Sequence, residues 1–112
     1  MKNWIKTERK IRDRLVRGLL DLIILICLKE IPLSGYDIIS SIHDLFGILL
    51  SPGTVYPRLR FLENLGLIER IEREEKRIFR VTSKGNELVN LLSTEYSTFY
   101  QKLLAIISHY RK

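Results

Sequence analysis

The pattern of apolar and polar positions in the first half of the chain predicts three helices and a link. Residues 4–16 place apolar positions on one side of a helix, and residues 19–29 are apolar nearly all round. A helix that is apolar all round must be buried, so we expect the second helix to be central. A third amphipathic helix is predicted over residues 35–45, and residues 48–50 are expected to form a short extended link or a strand.

The segment LSPGTVYPRLRFLENLGLIE, residues 50–69, predicts a short helix that is presented to a partner. Ser51 is a suitable N-cap, Pro52 suits the first helical position, and Gly66 ends the helix. The inner face is apolar and carries Val55, Leu59 and Leu62. The outer face is polar, basic and aromatic and carries Thr54, Arg58, Phe61 and, near its edge, Arg60. Because a basic hairpin follows, we expect the partner of this helix, residues 51–65, to be DNA.

The second half of the chain predicts a hairpin and then a long helix. Residues 67–73 and 77–82 alternate weakly between apolar and polar side chains around a polar turn at residues 74–76. Residues 83–110 form the longest predicted element, which reaches about 40 Å at a rise of 1.5 Å per residue. A compact domain of 112 residues has a radius of gyration of about 13 Å. Because the helix is longer than such a domain is wide, we expect part of it to project from the domain.

Apolar residues of the last helix repeat at alternating spacings of three and four, which is the heptad pattern of helices that pack on one another. The seam consists of Val89, Leu92, Tyr96, Phe99, Leu103, Ile106 and Tyr110. A second line widens this face and consists of Tyr100, Leu104 and Ile107. Because one small core cannot cover so much apolar surface, we predict a homodimer.

The chain is basic, with a net charge of +6 at pH 7, which favours a polyanionic partner. The excess is concentrated at the N-terminus, because residues 1–17 carry seven basic and two acidic side chains. Two interpretations of this arm stay open. Either it lies against nucleic-acid phosphates, or it is a solvated segment that keeps the protein soluble.

Cysteine content and motif searches limit the function classes. Cys27 is the only cysteine, so no intrachain disulfide can form, and we expect a reducing, cytoplasmic setting. The apolar run over residues 19–28 is too short for a membrane span, and we see no secretion signal. His43 and His109 are far apart in sequence, and no metal-ligand spacing, catalytic pair or nucleotide-binding motif is present. We therefore expect no enzyme, no metal and no cofactor.

The order of the predicted elements is that of a winged helix-turn-helix, in which a presented helix is followed by a two-stranded hairpin. The predicted fold class is mainly α with a small β-hairpin, with dimerisation helices at the N-terminus and, longer, at the C-terminus. We expect a single domain over residues 1–112. In it, residues 1–17 form a basic helix or arm, residues 18–82 the winged-helix core, and residues 83–112 the C-terminal dimerisation helix.

Three segments together resemble the PadR family of transcriptional regulators: SGYDII at residues 34–39, LSPGTVYPRLRFLENLGLIER at 50–70 and KRIFRVTSKG at 76–85. They contain, in order, a Gly-Tyr-acid-Ile helix start, Ser-Pro-Gly-x-Val-Tyr-Pro, Leu-Glu-x-x-Gly-Leu-Ile and Arg-x-Thr-x-x-Gly. The last helix is the longest element of this chain but is short beside the larger C-terminal region of longer relatives, so the chain resembles the compact members of the family. The resemblance implies a winged-helix transcriptional regulator that is a dimer held by its N- and C-terminal helices.

Candidate DNA contacts lie on the presented helix, at two helix starts and on the hairpin. Arg58 has the donors to pair with guanine O6 and N7, which discriminates by ~1–3 kcal/mol, while Arg60 suits a base or a phosphate. Free N–H groups at a helix start favour an anion. For Tyr56 two interpretations stay open: a phosphate bond from its hydroxyl, as the resemblance implies, or a half-buried structural role. The remaining candidates are Ser34, Tyr36, Ser51, Gly53, Thr54, Arg73, Lys76 and Arg77.

The predicted dimer interface combines residues of the first and last helices. They are Trp4, Ile11, Leu15, Val89, Leu92, Tyr96, Phe99, Leu103, Ile106 and Tyr110. The simplest interpretation is an apolar contact between two copies. In the alternative, the aromatic residues of both helices line a flat pocket for a small hydrophobic effector, which the resemblance implies for some relatives.

The function we expect is that of a dimeric, sequence-specific repressor that places helix 51–65 in the major groove of double-stranded DNA. Two alternatives stay open. The mixed charges of the hairpin suit a winged-helix adaptor that docks a partner protein, which would not bind duplex DNA with a steep salt dependence. The aromatic residues suit a small-molecule sensor, in which an aromatic compound would quench the fluorescence of Trp4.

Overall fold

The computed structural model describes residues 4–110 and, of these, the side chains of residues 6–110. Over this range the elements are α1 (Trp4–Gly18), α2 (Leu20–Glu30), α3 (Gly35–Phe46), α4 (Pro52–Asn64), β1 (Ile68–Arg73), β2 (Lys76–Val81) and α5 (Ser83–Tyr110). The predicted fold class, mainly α with a small antiparallel hairpin, is confirmed. The predicted organisation as a single domain stays a prediction.

Helix α2 lies at the centre of the core, as its nearly continuous apolar sequence predicts. It separates from α1 at Leu19, whose φ of −105° and ψ of 11° interrupt the helix, while α1 itself continues through Gly18. The core side chains come mostly from α2, α3, α4, the hairpin and the links between them, with Val16 of α1 and Val89 of α5 added at the two ends. The most deeply buried are Ile24, Leu25, Ile38, Ile42, Leu50, Val55, Leu59, Leu62 and Ile68.

The start of α3 is fixed on both sides by hydrogen bonds. The Asp37 backbone N–H donates to Ser34 Oγ at 3.1 Å, and the Ser34 N–H donates to Asp37 Oδ2 at 3.3 Å, which is a capping box. Just before this cap, Leu33 pairs with Phe79 of β2 through backbone bonds of 3.0 and 2.8 Å. Extended pairing beyond the hairpin therefore occurs at Leu33, whereas residues 48–50 form a link and no strand.

The hairpin is tighter than its sequence predicts. Cross-strand partners run from Ile68 opposite Val81 to Arg73 opposite Lys76, so Lys76 belongs to β2 and the expected three-residue turn is wrong. The turn consists of Glu74 and Glu75 alone, with φ of 51° and 65°. Positive φ at both positions is typical of the type I′ turn, whose twist matches that of the flanking strands.

Close contacts join the start of α5 to the turn between α4 and β1. Thr82 Oγ1 donates to the Gly66 carbonyl at 2.7 Å, and Lys84 Nζ donates to the Leu65 carbonyl at 2.8 Å. A Cβ added to Gly85 would lie 2.2 Å from the Leu67 carbonyl oxygen, so only glycine lets α5 approach β1 this closely. The direction of α5 is therefore set at its first turn.

Beyond this joint, α5 leaves the rest of the chain. Every residue from Ser93 to Tyr110 is exposed, a length of about 27 Å at 1.5 Å per residue. The principal extents of the molecule are 56 × 33 × 20 Å and its radius of gyration is 16.2 Å. A compact chain of 112 residues has a radius of gyration of about 13 Å. The projecting part of α5 accounts for the larger value of this molecule.

Candidate nucleic-acid interface

Helix α4 has one buried face and one open face. Val55, Leu59 and Leu62 are covered by the core, as predicted. The open face carries, at helical spacing, the exposed residues Gly53, Pro57, Arg60, Phe61 and Asn64. The sequence predicts Arg60 near the edge of the outer face, but in the structure it lies within the open face. No described residue accepts a hydrogen bond from it. From Gly53 to Asn64 the open face is about 16 Å long at 1.5 Å per residue, and a major groove roughly 12 Å wide admits a helix.

Arg58 is held beside this open face rather than free on it. Its Nε donates to Asp21 Oδ1 at 2.8 Å and its Nη2 donates to Asp21 Oδ2 at 2.6 Å, so the pair is bidentate. Its Cζ lies 4.3 Å from the centre of the Phe61 ring. The hydrogen bonds to Asp21 raise the pKa of Arg58 above its ordinary value, so the guanidinium stays charged. The sequence pattern gave no sign of Asp21, because it lies 37 residues away on α2.

The first turn of α4 is linked to the basic helix α1. Ser51 occupies the N-cap position but makes no capping hydrogen bond, and its Oγ lies 3.2 Å from Thr54 Oγ1. Arg17 Nη1 donates to Thr54 Oγ1 at 3.4 Å, and Arg17 Nε donates to Asp13 at 3.0 Å. Ser51 and Gly53 are exposed, so their part of the helix start is open to an anion.

A basic groove continues this surface onto α1. It has a volume of about 390 Å³ and lies between α1 and the link before α4, lined there by Gly47, Ile48 and Leu49. The α1 side carries four cations and one acid: Lys6, Arg9, Lys10, Arg17 and Asp13. The charge of residues 1–17 indicates a basic arm, but only the packing of α1 shows which cations line the groove beside the link before α4 and that Arg17 reaches the first turn of α4.

Tyr56 and Tyr36 meet at the start of α3. Their rings lie edge to face, with centroids 6.1 Å apart, and Tyr36 is 67% exposed while Tyr56 is half-buried. A Cβ at Gly35 would lie 2.5 Å from the Tyr56 Cζ and hydroxyl, so the glycine makes room for this ring. The Ser34 hydroxyl serves the capping box. Packing therefore accounts for Ser34 and for much of Tyr56, while Tyr36 is available to a ligand.

The hairpin separates the three cations that the sequence groups together. Arg73 and Lys76 are directly opposite each other on the outer face, whereas Arg77 lies opposite Glu72 on the face that also carries buried Phe79. Like charges directly opposite each other are destabilising, so the Arg73–Lys76 pair favours an anion. Arg70 and Arg80 are neutralised by Glu63 and Glu69, respectively, and are less suited to phosphate.

Among the described side chains predicted at the dimer interface, Val89 is buried, Leu92 is half-buried and the rest are exposed. Val89 is only 3% exposed and belongs to the core of its own chain, so its assignment to the interface is corrected. The side chain of Trp4 lies outside the described residues. The others that retain exposed or partly exposed surface are Ile11, Leu15, Leu92, Tyr96, Phe99, Leu103, Ile106 and Tyr110.

In a single chain, only one side of the predicted effector pocket is formed. A groove of about 400 Å³ lies along α5 and is lined by Leu92, Glu95, Tyr96 and Phe99. All of its lining comes from one helix, so it is open on the opposite side. The effector therefore stays a prediction, and it depends on what covers α5.

Other site classes are poorly supported within residues 4–110. No group of three His, Cys, Asp or Glu side chains is placed there to hold a metal ion. None of the helices in that range is both long and apolar enough to cross a membrane. Cys27 is partly buried, and its burial raises the pKa of the thiol, which disfavours the reactive thiolate.

Comparison with known proteins identifies the group of regulators to which this geometry corresponds. The sequence profile described as "Transcriptional regulator PadR-like family" matches residues 24–91. The "Transcriptional activator GvpE" of Haloferax mediterranei is 33% identical over 86 residues, covering 73% of this chain and 44% of the relative. The chain thus spans less than half the length of the curated relatives it matches.

Solved structures show the same fold. A PadR family transcriptional regulator from Eggerthella lenta superposes with a TM-score of 0.79 at 24% identity, covering 96% of this chain and 97% of the other. A transcriptional regulator from Clostridium thermocellum superposes with a TM-score of 0.74 at 25% identity, covering 88% and 96%. These matches confirm the winged-helix architecture. Because the profile and the relatives are of transcription regulators, the expectation that the chain is not an enzyme is also confirmed.

Proposed function

The chain belongs to the PadR-like family of transcriptional regulators, and we propose that it binds double-stranded DNA sequence-specifically as a homodimer. The observation that carries this proposal is the open face of α4. Its exposed residues are presented by a helix whose other face is buried in the core, and further cations lie on α1 and on the hairpin. A rigid helix with flanking cations is suited to enter a major groove while the phosphates on both sides are bound.

The proposed DNA contacts are of two kinds, contacts to bases, which recognise sequence, and contacts to phosphates, which position the protein. Arg60 and Arg58 are the base-reading candidates on α4, since each guanidinium can pair bidentately with guanine. Phosphate contacts fix the protein on the duplex without reading sequence. The candidates for them are Tyr36, Ser51, Gly53, Thr54, Tyr56, Arg73, Lys76 and Arg77, together with the cations of the α1 groove.

A second copy of the chain is the proposed cover for α5. Large apolar side chains stand exposed along its free length, including Phe99, Tyr100 and Ile106 at 61, 61 and 55%. A soluble monomer rarely leaves a continuous apolar face of this kind uncovered. Their heptad spacing suits a partner helix, and Ile11 and Leu15 of α1, both more than 60% exposed, add a further apolar surface. A dimer would place two α4 helices on half-sites about one turn of DNA apart.

We propose repression as the direction of regulation, because a dimer bound over a promoter excludes polymerase without any further contact. Activation needs an additional surface that contacts the transcription machinery. The Haloferax relative is named an activator, which makes activation the specific alternative. A reporter gene placed behind the selected operator decides between them, since repression lowers expression on induction of the protein and activation raises it.

The test is the selection of bound duplexes from a random pool at about 150 mM salt, with Arg60→Ala in parallel. We expect a palindromic motif with half-sites about ten base pairs apart, and a relaxed preference at one position of each half-site in the variant. Lys102→Ala is the matched control, because it removes the same charge from α5, and it should keep the motif. Enrichment of no motif, with binding that is insensitive to salt, would instead support the protein adaptor.

A further inference from the structure

Arg58 is constrained on two sides before any DNA is present. Asp21, in the first turn of α2, accepts hydrogen bonds from Nε and Nη2, and the Phe61 ring lies against the guanidinium at 4.3 Å. Both charged side chains are about 40% exposed, so the pair lies at the surface beside the open face of α4. The arginine is therefore presented to a ligand in a fixed orientation rather than as a mobile chain.

The edge that Asp21 leaves open is the one suited to a base. A guanidinium has five N–H groups, and Asp21 engages Nε and one N–H of Nη2. The Nη1 group and the second N–H of Nη2 remain, and no described residue accepts from Nη1. These two nitrogens form a parallel pair of donors, which is the pattern that fits guanine O6 and N7.

We propose that Asp21 is a positioning residue that sets the sequence specificity of DNA binding by holding Arg58 with its Nη1–Nη2 edge toward the bases. This inference rests on the proposed function and adds a residue outside the predicted DNA-contacting set. Asp21 itself would touch no DNA. It acts through Arg58, whose rotamer it fixes before binding, so less side-chain freedom is lost when the base contact forms.

The charge of Asp21 supports specificity in a second way. A lone arginine attracts any phosphate, and this attraction is independent of sequence. The Arg58–Asp21 pair is neutral as a whole, and its carboxylate repels the DNA backbone, so the pair adds little to nonspecific binding. Its open N–H groups still donate to a base edge. The ion pair therefore suits Arg58 to hydrogen bonding with a base rather than to a sequence-independent contact with phosphate.

The experiment compares affinities for the selected operator and for a scrambled duplex of the same length, at one salt concentration. Asp21→Asn keeps the size of the side chain but removes its charge and one acceptor. We expect the ratio of the two affinities to fall about tenfold, with tighter binding to the scrambled duplex. Glu30→Gln is the matched control, since it removes one negative charge from the exposed far end of α2, and it should leave the ratio unchanged.

Two further variants test whether Asp21 acts through Arg58. In the Arg58→Ala background, Asp21→Asn should cause no additional loss in the affinity ratio, because the residue it positions is absent. Arg58→Lys keeps the charge but not the planar guanidinium, so we expect it to lower the ratio of operator to scrambled-duplex affinity as far as Arg58→Ala does. A merely structural role of Asp21 would lower both affinities together and would add to the effect of Arg58→Ala.

Three results would overturn the inference. The first is an unchanged ratio in Asp21→Asn with both affinities raised, which would mean that Asp21 only masks Arg58. The second is an additive loss in the double variant. The third is a wild-type ratio near one, which alone would overturn the proposed function as well, whereas the first two leave the function standing.

Discussion

The two ends of α5 differ sharply although they belong to one continuous helix. The first turns, residues 83–92, are fixed by hydrogen bonds to the turn after α4, by the close approach at Gly85 and by buried Val89. The remaining residues, 93–110, are all exposed and yet carry most of the heptad seam, from Tyr96 to Tyr110. Equally apolar stretches of one helix therefore serve two purposes, an intramolecular anchor and an uncovered surface.

This difference shows how the fold separates stability from assembly. The winged-helix core buries its own apolar side chains and fixes the direction of α5 at the first turn. The free length of α5 adds no buried side chains to that core, since Gly85 and Val89 are its only buried residues in the described part of the helix. Substitutions in the two regions should consequently affect different measurements, assembly for the free length of α5 and the free energy of unfolding for the core.

The largest expected effect is on assembly. Phe99→Asp places a charge in the middle of the seam, and we expect the mass in solution to fall from twice 13.2 kDa to 13.2 kDa. Affinity for a two-half-site operator should drop at least about a hundredfold, because the two half-sites are then bound independently. Light scattering after gel filtration and a binding titration measure both. Gln101→Asp, about half a turn away on the helix, is the control and should stay dimeric.

A wild-type protein of 13.2 kDa at micromolar concentration would contradict the proposed dimer. A dimer that persists in Phe99→Asp would place the interface elsewhere, with the exposed apolar side chains of α1, Ile11 and Leu15, as the first alternative.

The next effect is on the core. Leu59→Ala removes a fully buried side chain of α4, and we expect a loss of about 2–5 kcal/mol in the free energy of unfolding. Leu45→Ala is the matched control, because Leu45 is 68% exposed, and its effect should lie within about 0.5 kcal/mol. Urea unfolding at one protein concentration measures both variants. Equal losses in the two variants would show that the core is not packed as described.

A smaller effect is expected at the joint between the two regions. Gly85→Ala would press a methyl group against the Leu67 carbonyl, which is backbone, and we expect a loss of about 1–3 kcal/mol. Gly18→Ala has no atom within 4 Å of the new methyl group, and we expect it to stabilise the protein by about 0.5–1 kcal/mol. Thermal unfolding distinguishes the two. Stabilisation by both substitutions would mean that α5 can move away from β1 at little cost.

The smallest effect is expected at the hairpin tip, the other projecting part of the chain. Glu74 and Glu75 adopt positive φ, which side chains other than glycine and asparagine tolerate poorly. Replacing them with Asn and Gly should stabilise the protein by about 1 kcal/mol. The double variant Glu74→Gln, Glu75→Gln loses the same charge but keeps the strain, so it should raise salt-sensitive DNA affinity without raising the melting temperature.

Much of the fold follows from local sequence signals. Pro52 at the helix start and Gly66 after α4 mark element ends through interactions within a few residues, so the sequence alone predicts them. The Ser34–Asp37 capping box is local in the same way. The extra pairing at Leu33 could not be predicted in this way. It joins a single residue to Phe79 of β2, and one residue carries no alternation pattern.

The candidate site was predictable as a set of residue types on one helix but not as an arrangement. The sequence indicates which face of α4 is apolar, because helical spacing fixes faces without reference to the rest of the chain. It does not indicate which arginine is engaged, since that depends on what packs against the helix. Arg58 meets Asp21 across 37 residues of chain, and Arg60 meets no described acceptor.

By itself, therefore, the sequence determined the order of the elements, the inner face of α4, the basic N-terminus and the apolar length of α5, all of which are properties of neighbouring residues. Only the tertiary structure decided that Val89 belongs to the core, that Arg73 and Arg77 lie on opposite faces of the hairpin, and that α1 places its cations beside the link before α4. These depend on contacts between distant segments, whose geometry is set by how the elements pack together and not by the pattern within any one of them.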